Sequence, residues 1–264
     1  LGYAAGGATT GNNNVIVGQA GQVQVAVNDT VAVGDGALQT NTVSSKNTAI
    51  GRSALRTLNH TSATDGYNTA LGYNSGYAVT TGIQNTFIGG LSAQATEDAD
   101  RNVALGYATL YTNVLGSRST AVGHTALHTQ NPASAVDMHN TAVGYGAGYS
   151  ITVGTHNTIV GSEAGDALTT GVSNTVVGQG ALTTDDVGIG TIALGYGAAN
   201  QQNIVSGSHT LNTVVGYNSS YYNLVGTANT TLGYNAGIGV SGNSNSSNTF
   251  IGYAAGLGVT TGNS

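Results

Sequence analysis

The chain has 264 residues with 42 glycines, one proline, no cysteine and no tryptophan, and its 6% charged content is far below the roughly 25% of ordinary globular domains. An apolar share of 39% and a net charge of −6 exclude charge-driven disorder, and glycine off a three-residue period excludes collagen. Five cations (Lys46, Arg52, Arg56, Arg101 and Arg118) make no phosphate-tracking stripe, the missing cysteines remove disulfides and thiolate zinc sites, and no apolar run reaches membrane-span length, so neither nucleic acid nor membrane insertion is expected.

One motif returns from the first residues onward. It opens as LGYAAG at Leu1 and is fullest as NTAIGRSAL from Asn47, NTALGYNSG from Asn68, NTAVGYGAG from Asn140, NTIVGSEAG from Asn157, NTVVGQGAL from Asn174, NTTLGYNAG from Asn229 and NTFIGYAAG from Asn248. Its glycine marks fifteen copies: Gly2, Gly18, Gly34, Gly51, Gly72, Gly89, Gly106, Gly123, Gly144, Gly161, Gly178, Gly195, Gly216, Gly233 and Gly252. The commonest step is 17 residues, and steps of 21 end at Gly72, Gly144 and Gly216, each 72 residues after the last. A unit of four coils, one carrying a four-residue insertion, has therefore been duplicated, and residues 1–264 are expected to form a single repeat array. A 17-residue period is too short for helical hairpins and predicts an all-β fold, a parallel β-solenoid or β-roll.

Along each copy the residue before the marker glycine is a large aliphatic: Ile50, Leu71, Ile88, Leu105, Val122, Val143, Val160, Val177, Leu194, Val215, Leu232 and Ile251. This column is expected to face the core. Two residues earlier stands Thr, replaced by Val15, Val31, Val103 or Ile192 in some copies, on the same face of a strand. The column between them (Ala49, Ala70, Phe87, Ala104, Ile159, Val176, Val214, Phe250) points the other way and is also apolar. A strand apolar on both faces is covered on both, which predicts a second copy of the chain against this face.

The rest of each copy is turn chemistry. TTGIQNT from Thr80 and TTGVSNT from Thr169 place Gly and Asn where left-handed backbone is cheap, and the marker glycines are read as strand-closing turns. Three residues past the marker a small side chain (Ala54, Ser75, Ala126, Ala147, Ala164, Ala181, Ala236, Ala255) would let strands or chains approach closely. The recurrent Asn is expected to form buried columns hydrogen-bonded from coil to coil. Fifteen coils at about 4.8 Å would stack to roughly 70 Å. The chain begins at Leu1 inside a copy and ends on TTGNS inside a linker, so a fragment of a longer fibre, or subunits stacking end to end, is expected.

NTAVGYGAG followed by a TTGxxNT linker resembles the NTxxG repeats of phage tail fibres and related bacterial surface proteins. It is similar, more distantly, to the SxAIGxxA head repeats of trimeric autotransporter adhesins. The resemblance covers nearly the whole chain and implies a homotrimeric parallel β fibre. It fixes no ligand. The adhesin heads use shorter coils, and neither their anchor nor a self-cleaving chaperone domain is seen.

Chemistry is sparse. His124 and His128 lie four apart, but the positions 72 residues away hold Arg52 and Arg56 or Tyr196 and Asn200, so loop side chains are expected and no metal site. Glu97, Asp98 and Asp100, and the pair Asp185 and Asp186, read as solvated loop charges, since no EF-hand or nonapeptide calcium pattern appears. Tyr follows the marker in many copies (Tyr73, Tyr107, Tyr145, Tyr196, Tyr217, Tyr234, Tyr253), as a stacked support for the sheet or a filler of the interchain seam, with glycan stacking as the alternative. The Thr column invites an ice-facing reading, set aside because it shares the expected inward face.

These readings lead to an extracellular structural fibre on a virion or cell surface. It is not an enzyme, needs no cofactor, is partnered by copies of itself, and presents loops 56–67, 94–101, 128–139 and 200–211 to a cell-surface glycan or protein. The alternatives are a surface filament polymerising end to end and a monomeric carbohydrate- or ice-binding solenoid. The last predicts that the Ala/Val/Phe column is covered within one chain.

Overall fold

The structure, a computed structural model, describes residues 10–21, 26–204, 209–242 and 244–260. The copy marked by Gly2 lies outside them. The chain divides into two compact units, Leu1–Asp137 and Met138–Ser264, and each is a parallel β-solenoid.

The first unit holds β1 (Val15–Val17), β2 (Val31–Val33), β3 (Ser44–Ser45), β4 (Thr48–Ile50), β5 (Thr64–Asp65), β6 (Thr69–Leu71), β7 (Thr86–Ile88), β8 (Val103–Leu105), β9 (Gly116–Ser117), β10 (Thr120–Val122) and β11 (Val136–Asp137). Its three-residue strands pair in parallel in the order β1, β2, β4, β6, β7, β8, β10, each copy residue for residue with the next. The register survives the 21-residue step, with Thr48, Ala49 and Ile50 opposite Thr69, Ala70 and Leu71. The four inserted residues are therefore taken up outside the ladder. Shorter parallel pairs, β3 with β5 and β9 with β11, form beside it.

The second unit repeats the scheme with β12 (Thr141–Val143), β13 (Thr158–Val160), β14 (Thr175–Val177), β15 (Ile192–Leu194), β16 (Thr213–Val215), β17 (Thr230–Leu232) and β18 (Thr249–Ile251), paired in chain order. Here too the long step, from Ile192 to Thr213, keeps register.

The marker glycine explains why the strands stop after three residues. Gly106 has φ +136°, and a Cβ built on it would lie 2.2 Å from the carbonyl oxygen of Gly123 in the next coil. Only glycine satisfies both the angle and the approach. Beyond it alternate residues are left-handed, as at Ser53 (φ 58°) and Leu55 (φ 46°). They donate in opposite directions: Ser53 N–H to Asp35 O at 2.8 Å in the coil before, Leu55 N–H to Ser75 O at 3.0 Å in the coil after. The turn thus continues the coil-to-coil bonding without strand geometry.

The interior is lined by the middle residue of each strand, which corrects the sequence expectation. Ala49, Ala70, Phe87, Ala104, Ala121, Ala142, Ile159, Val176 and Ala193 are fully buried. So are the small residues after the turn, such as Ala54 and Ala147, which close the coil on itself instead of admitting a neighbouring chain. The aliphatic column assigned to the core lies on the outer face of the single chain. Ile50, Leu71, Leu105, Val143, Val160, Val177, Leu232 and Ile251 are exposed, by 36–64%, and Ile88, Val122, Leu194 and Val215 are half-buried. Volume is shared within the coil: Ala holds the middle position in half of the three-residue strands, and larger residues enter where a glycine leaves room, Phe87 at Gly76 and Ile159 at Gly165, whose added Cβ atoms would lie 2.8 Å from Phe87 Cδ2 and 3.3 Å from Ile159 Cδ1.

The asparagine column behaves as expected. Asn47 Oδ1 accepts Asn68 N–H at 3.0 Å, Asn68 Oδ1 accepts Asn85 N–H at 3.0 Å, and Asn85 Oδ1 accepts Asn102 N–H at 2.9 Å. Asn68, Asn85 and Asn102 then donate Nδ2 to a carbonyl fourteen residues on, Asn85 to Ala99 O at 2.8 Å among them, while Asn47 Nδ2 donates to Ser45 O at 3.0 Å. In the second unit the same chain of Oδ1 acceptors runs along Asn140, Asn157 and Asn174 and along Asn212, Asn229 and Asn248. All are buried, so the column satisfies backbone groups at a corner where no strand supplies partners.

Candidate interaction surface

The outer face of the strands carries two columns in each unit. Thr48, Thr69, Thr86 and Thr120, with Val103, stand beside Ile50, Leu71, Ile88, Leu105 and Val122 in the first; Thr141, Thr158, Thr175 and Thr213 stand beside Val143, Val160, Val177 and Val215 in the second. In-register pairing aligns each column, so the exposed aliphatics touch no polar interruption along the ladder direction. An exposed apolar column of this kind is a candidate interaction surface.

Tyrosine borders this face, two residues on across the marker glycine. Tyr196, Tyr217, Tyr234 and Tyr253 stack with centroids 5.0–5.3 Å apart and planes within 12°. Where the first unit lacks the next Tyr, His124 stacks on Tyr107 at 5.3 Å and Arg52 lies over Tyr73 at 5.8 Å. The rings give their faces to one another and remain exposed, by 46–80%.

The sequence-designated polar residues have structural partners. His124 stacks as above, and His128 stacks on Tyr111 at 5.1 Å, its pKa lowered first by burial and then by the neighbouring His124. Among the described residues no three His, Asp or Glu side chains converge to hold a metal ion. Asp98 accepts the Thr81 hydroxyl, and Asp100 Oδ1 accepts Ile83 N–H at 2.8 Å, so this acidic cluster ties one coil to the next. Asp185 is a correction to the solvated reading. It is fully buried, accepting Gly188 N–H and Ile204 N–H at Oδ1 (3.1 and 3.3 Å) and Gln202 Nε2–H at Oδ2 (2.7 Å), because it stands at the repeat position that the buried Asn41 and Asn113 hold in the first unit. Of the four loops, 56–67 exposes Asn59, Thr61 and Ser62 while His60 turns in to Thr81 O at 2.9 Å, and 128–139 exposes residues 133–137. Loop 94–101 is mostly tied in, with Thr96 and Ala99 buried, and residues 205–208 of the fourth lie outside the described residues.

No family model, curated protein or solved structure matches this chain. Among the described residues no helix is long and apolar enough to cross a membrane. The second unit also contains a polar groove of about 550 Å³ whose lining includes Glu163, Asp166, Gln179 and Asn200. Residue types alone do not announce it; its one trace in the sequence is the break in the tyrosine column at Ser162 and Gln179.

Proposed function

We propose that the chain is a segment of an extracellular structural fibre, three copies packed through the Thr/aliphatic outer face, with the insertion loops displayed to a cell-surface glycan or protein. The observation that carries this reading is the exposed aliphatic column. The argument for a second apolar partner now applies to this column, because the Ala/Val/Phe column is covered within one chain. Why the partner should be another copy follows from period: a face that repeats at every coil is matched along its length by a surface with the same repeat. The tyrosine column would border the seam, rings inward and hydroxyls at the wet rim. The resemblance to NTxxG fibre repeats supports the count of three and a virion or cell-surface location. The role is mechanical and calls for no cofactor; depolymerisation of a polysaccharide by the pure chain would count against it.

Light scattering tests the reading. A mass near three times 26.1 kDa is expected, with Leu105→Glu and Val177→Glu lowering it to the monomer while leaving the fold intact. A wild-type monomer would overturn it. In that event the outward-facing, half-buried to exposed Thr column favours a second reading, an ice-facing array, for which thermal hysteresis in solution is the check.

A further inference from the structure

The groove in the second unit is made by side chains that the repeat leaves out. The column after each marker glycine runs Tyr145, Ser162, Gln179, Tyr196, Tyr217, so two coils lack the ring that others carry. One position further the same coils hold Glu163 and Gly180, followed by Gly197 and Asn218. Gly180 has nearly open space above it: a Cβ there would meet only Asn200 Nδ2, at 3.9 Å. Floor and gap together form the cavity of about 550 Å³, within the usual range of ligand sites, about 300–1,000 Å³.

Its ends are chemically distinct. At one end stand Glu163 and Asp166; at the other, Asn218 and the edge-to-face pair Tyr221 and Tyr222, centroids 4.8 Å apart. Asp166 Oδ1 and Asn218 Oδ1 are both buried and have no hydrogen-bond partner in the protein. Buried acceptors left unpaired at the two ends of one cavity call for a ligand that brings donors. An anion is excluded by charge, since residues 138–264 contain no Lys or Arg. A compact organic cation is held by a cage of several ring faces, but the gap leaves one such face open, that of Tyr196 towards Gln179, its other face lying on Tyr217 at 5.0 Å. What remains is a neutral ligand rich in hydroxyls, with apolar C–H patches for ring edges. From the coil of Gly161 to that of Gly216 is three strand steps, about 14 Å at about 4.8 Å each. That step is close to the advance of one pyranose along a glycan.

We propose that this groove binds a short neutral oligosaccharide, lying along the coil axis with hydroxyls donating to Asp166 Oδ1 and Asn218 Oδ1. One chain builds the groove entirely, so the site does not depend on the number of copies in the assembly.

The test uses the intact chain and four named probes, maltotriose, cellotriose, mannotriose and N-acetylchitotriose, each at about 10 mM, followed by saturation-transfer NMR and calorimetry. At least one is expected to bind. The double variant Gln179→Tyr/Gly180→Asn writes in the residues that Tyr196 and Asn218 supply at equivalent positions, so it fills the groove with side chains the fold already accepts; its affinity should fall more than about tenfold with an unchanged melting curve. Asp166→Ala is the second variant and should weaken binding about fivefold or more. Silence of all four probes, or wild-type affinity in the folded double variant, overturns the proposal. So does binding of choline with the sugars silent, which would reassign the groove to an organic cation.

Discussion

Asparagine is replaced in its column by Thr30, Ser119 and Thr191, and the last two replacements bring their own compensation. Where Asn47 has Leu58 eleven residues on, Ser119 has Gln130 and Thr191 has Gln202. Ser119 Oγ donates to Gln130 Oε1 at 3.1 Å, and Gln202 Nε2 donates to Thr191 Oγ1 at 2.9 Å. A shorter polar side chain at one buried position is satisfied by a longer one at another. Gln130→Leu alone should cost about 1–3 kcal/mol by stranding the Ser119 hydroxyl; Ser119→Asn/Gln130→Leu, which restores the pair seen 72 residues earlier, should recover most of it, as read by urea denaturation. Asp185 stands where Asn41 and Asn113 stand, and burial raises its pKa above the ordinary carboxyl value, against the lowering effect of its hydrogen bonds. Between the two values the folded chain keeps a proton that the unfolded chain has released, so stability falls as pH rises through that window and stays lower above it. Asp185→Asn should remove this slope and raise the melting temperature at pH 7. Melting curves taken between about pH 4 and pH 7 would show it.

A coil is a three-residue strand, a glycine, and a run of alternating left-handed residues, and its parts were unequally legible. The strand, the glycine and the Asn column are fixed by period and could be read directly. The side of the wall could not, because alternation states only that Ala49 and Ile50 face opposite ways. Size then misled: Ile50 is larger than Ala49, but the interior behind the strand takes Ala as readily as the larger Phe87 and Ile159, which sit where Gly76 and Gly165 make room, so bulk does not name the inner column. The groove was still less visible, since it consists of atoms missing at Gly180 and Gly197. The turn predicts its own tolerance. Gly106→Ala combines a φ of +136° with a Cβ 2.2 Å from Gly123 O, and should lose about 3 kcal/mol or more. Gly146→Asn should change stability by less than about 0.5 kcal/mol, because Asn74, Asn218 and Asn235 hold the same place at φ 49–54° and only Glu163 Cγ, at 3.9 Å, lies near. Chemical denaturation of the two variants side by side separates glycines the backbone requires from those it tolerates.

Within each unit stability is a sum over neighbouring coils, so whole coils are interchangeable parts. Deleting residues 158–174 joins Asn157 to Thr175 and preserves the Asn-Thr junction and the register of β12 against β14. The shortened chain should fold with an unchanged circular-dichroism shape and a modestly lower urea midpoint. Deleting residues 158–173 instead leaves an 18-residue coil, and because the 19-residue step from Thr230 to Thr249 keeps register, the extra residue should be taken up outside the ladder and the second unit should still fold, with a lower urea midpoint than the 17-residue deletion gives. Recognition of the repeat thus gave the fold, whereas what the outer face meets is a property of surfaces that one chain's pattern cannot contain.

The alternating left-handed residues carry a consequence for durability. An endoprotease grips its substrate as a run of consecutive extended residues, and a positive φ breaks that grip as a D-residue would. In ordinary coils the run between left-handed positions is seven residues, as from Leu110 to Arg118, and part of it is buried; in the coils with the insertion it lengthens to eleven, from Leu55 to Tyr67 and from Leu127 to His139. The backbone geometry that stacks the coils is also an armour, and the insertion loops are its hinges, the places where digestion would begin.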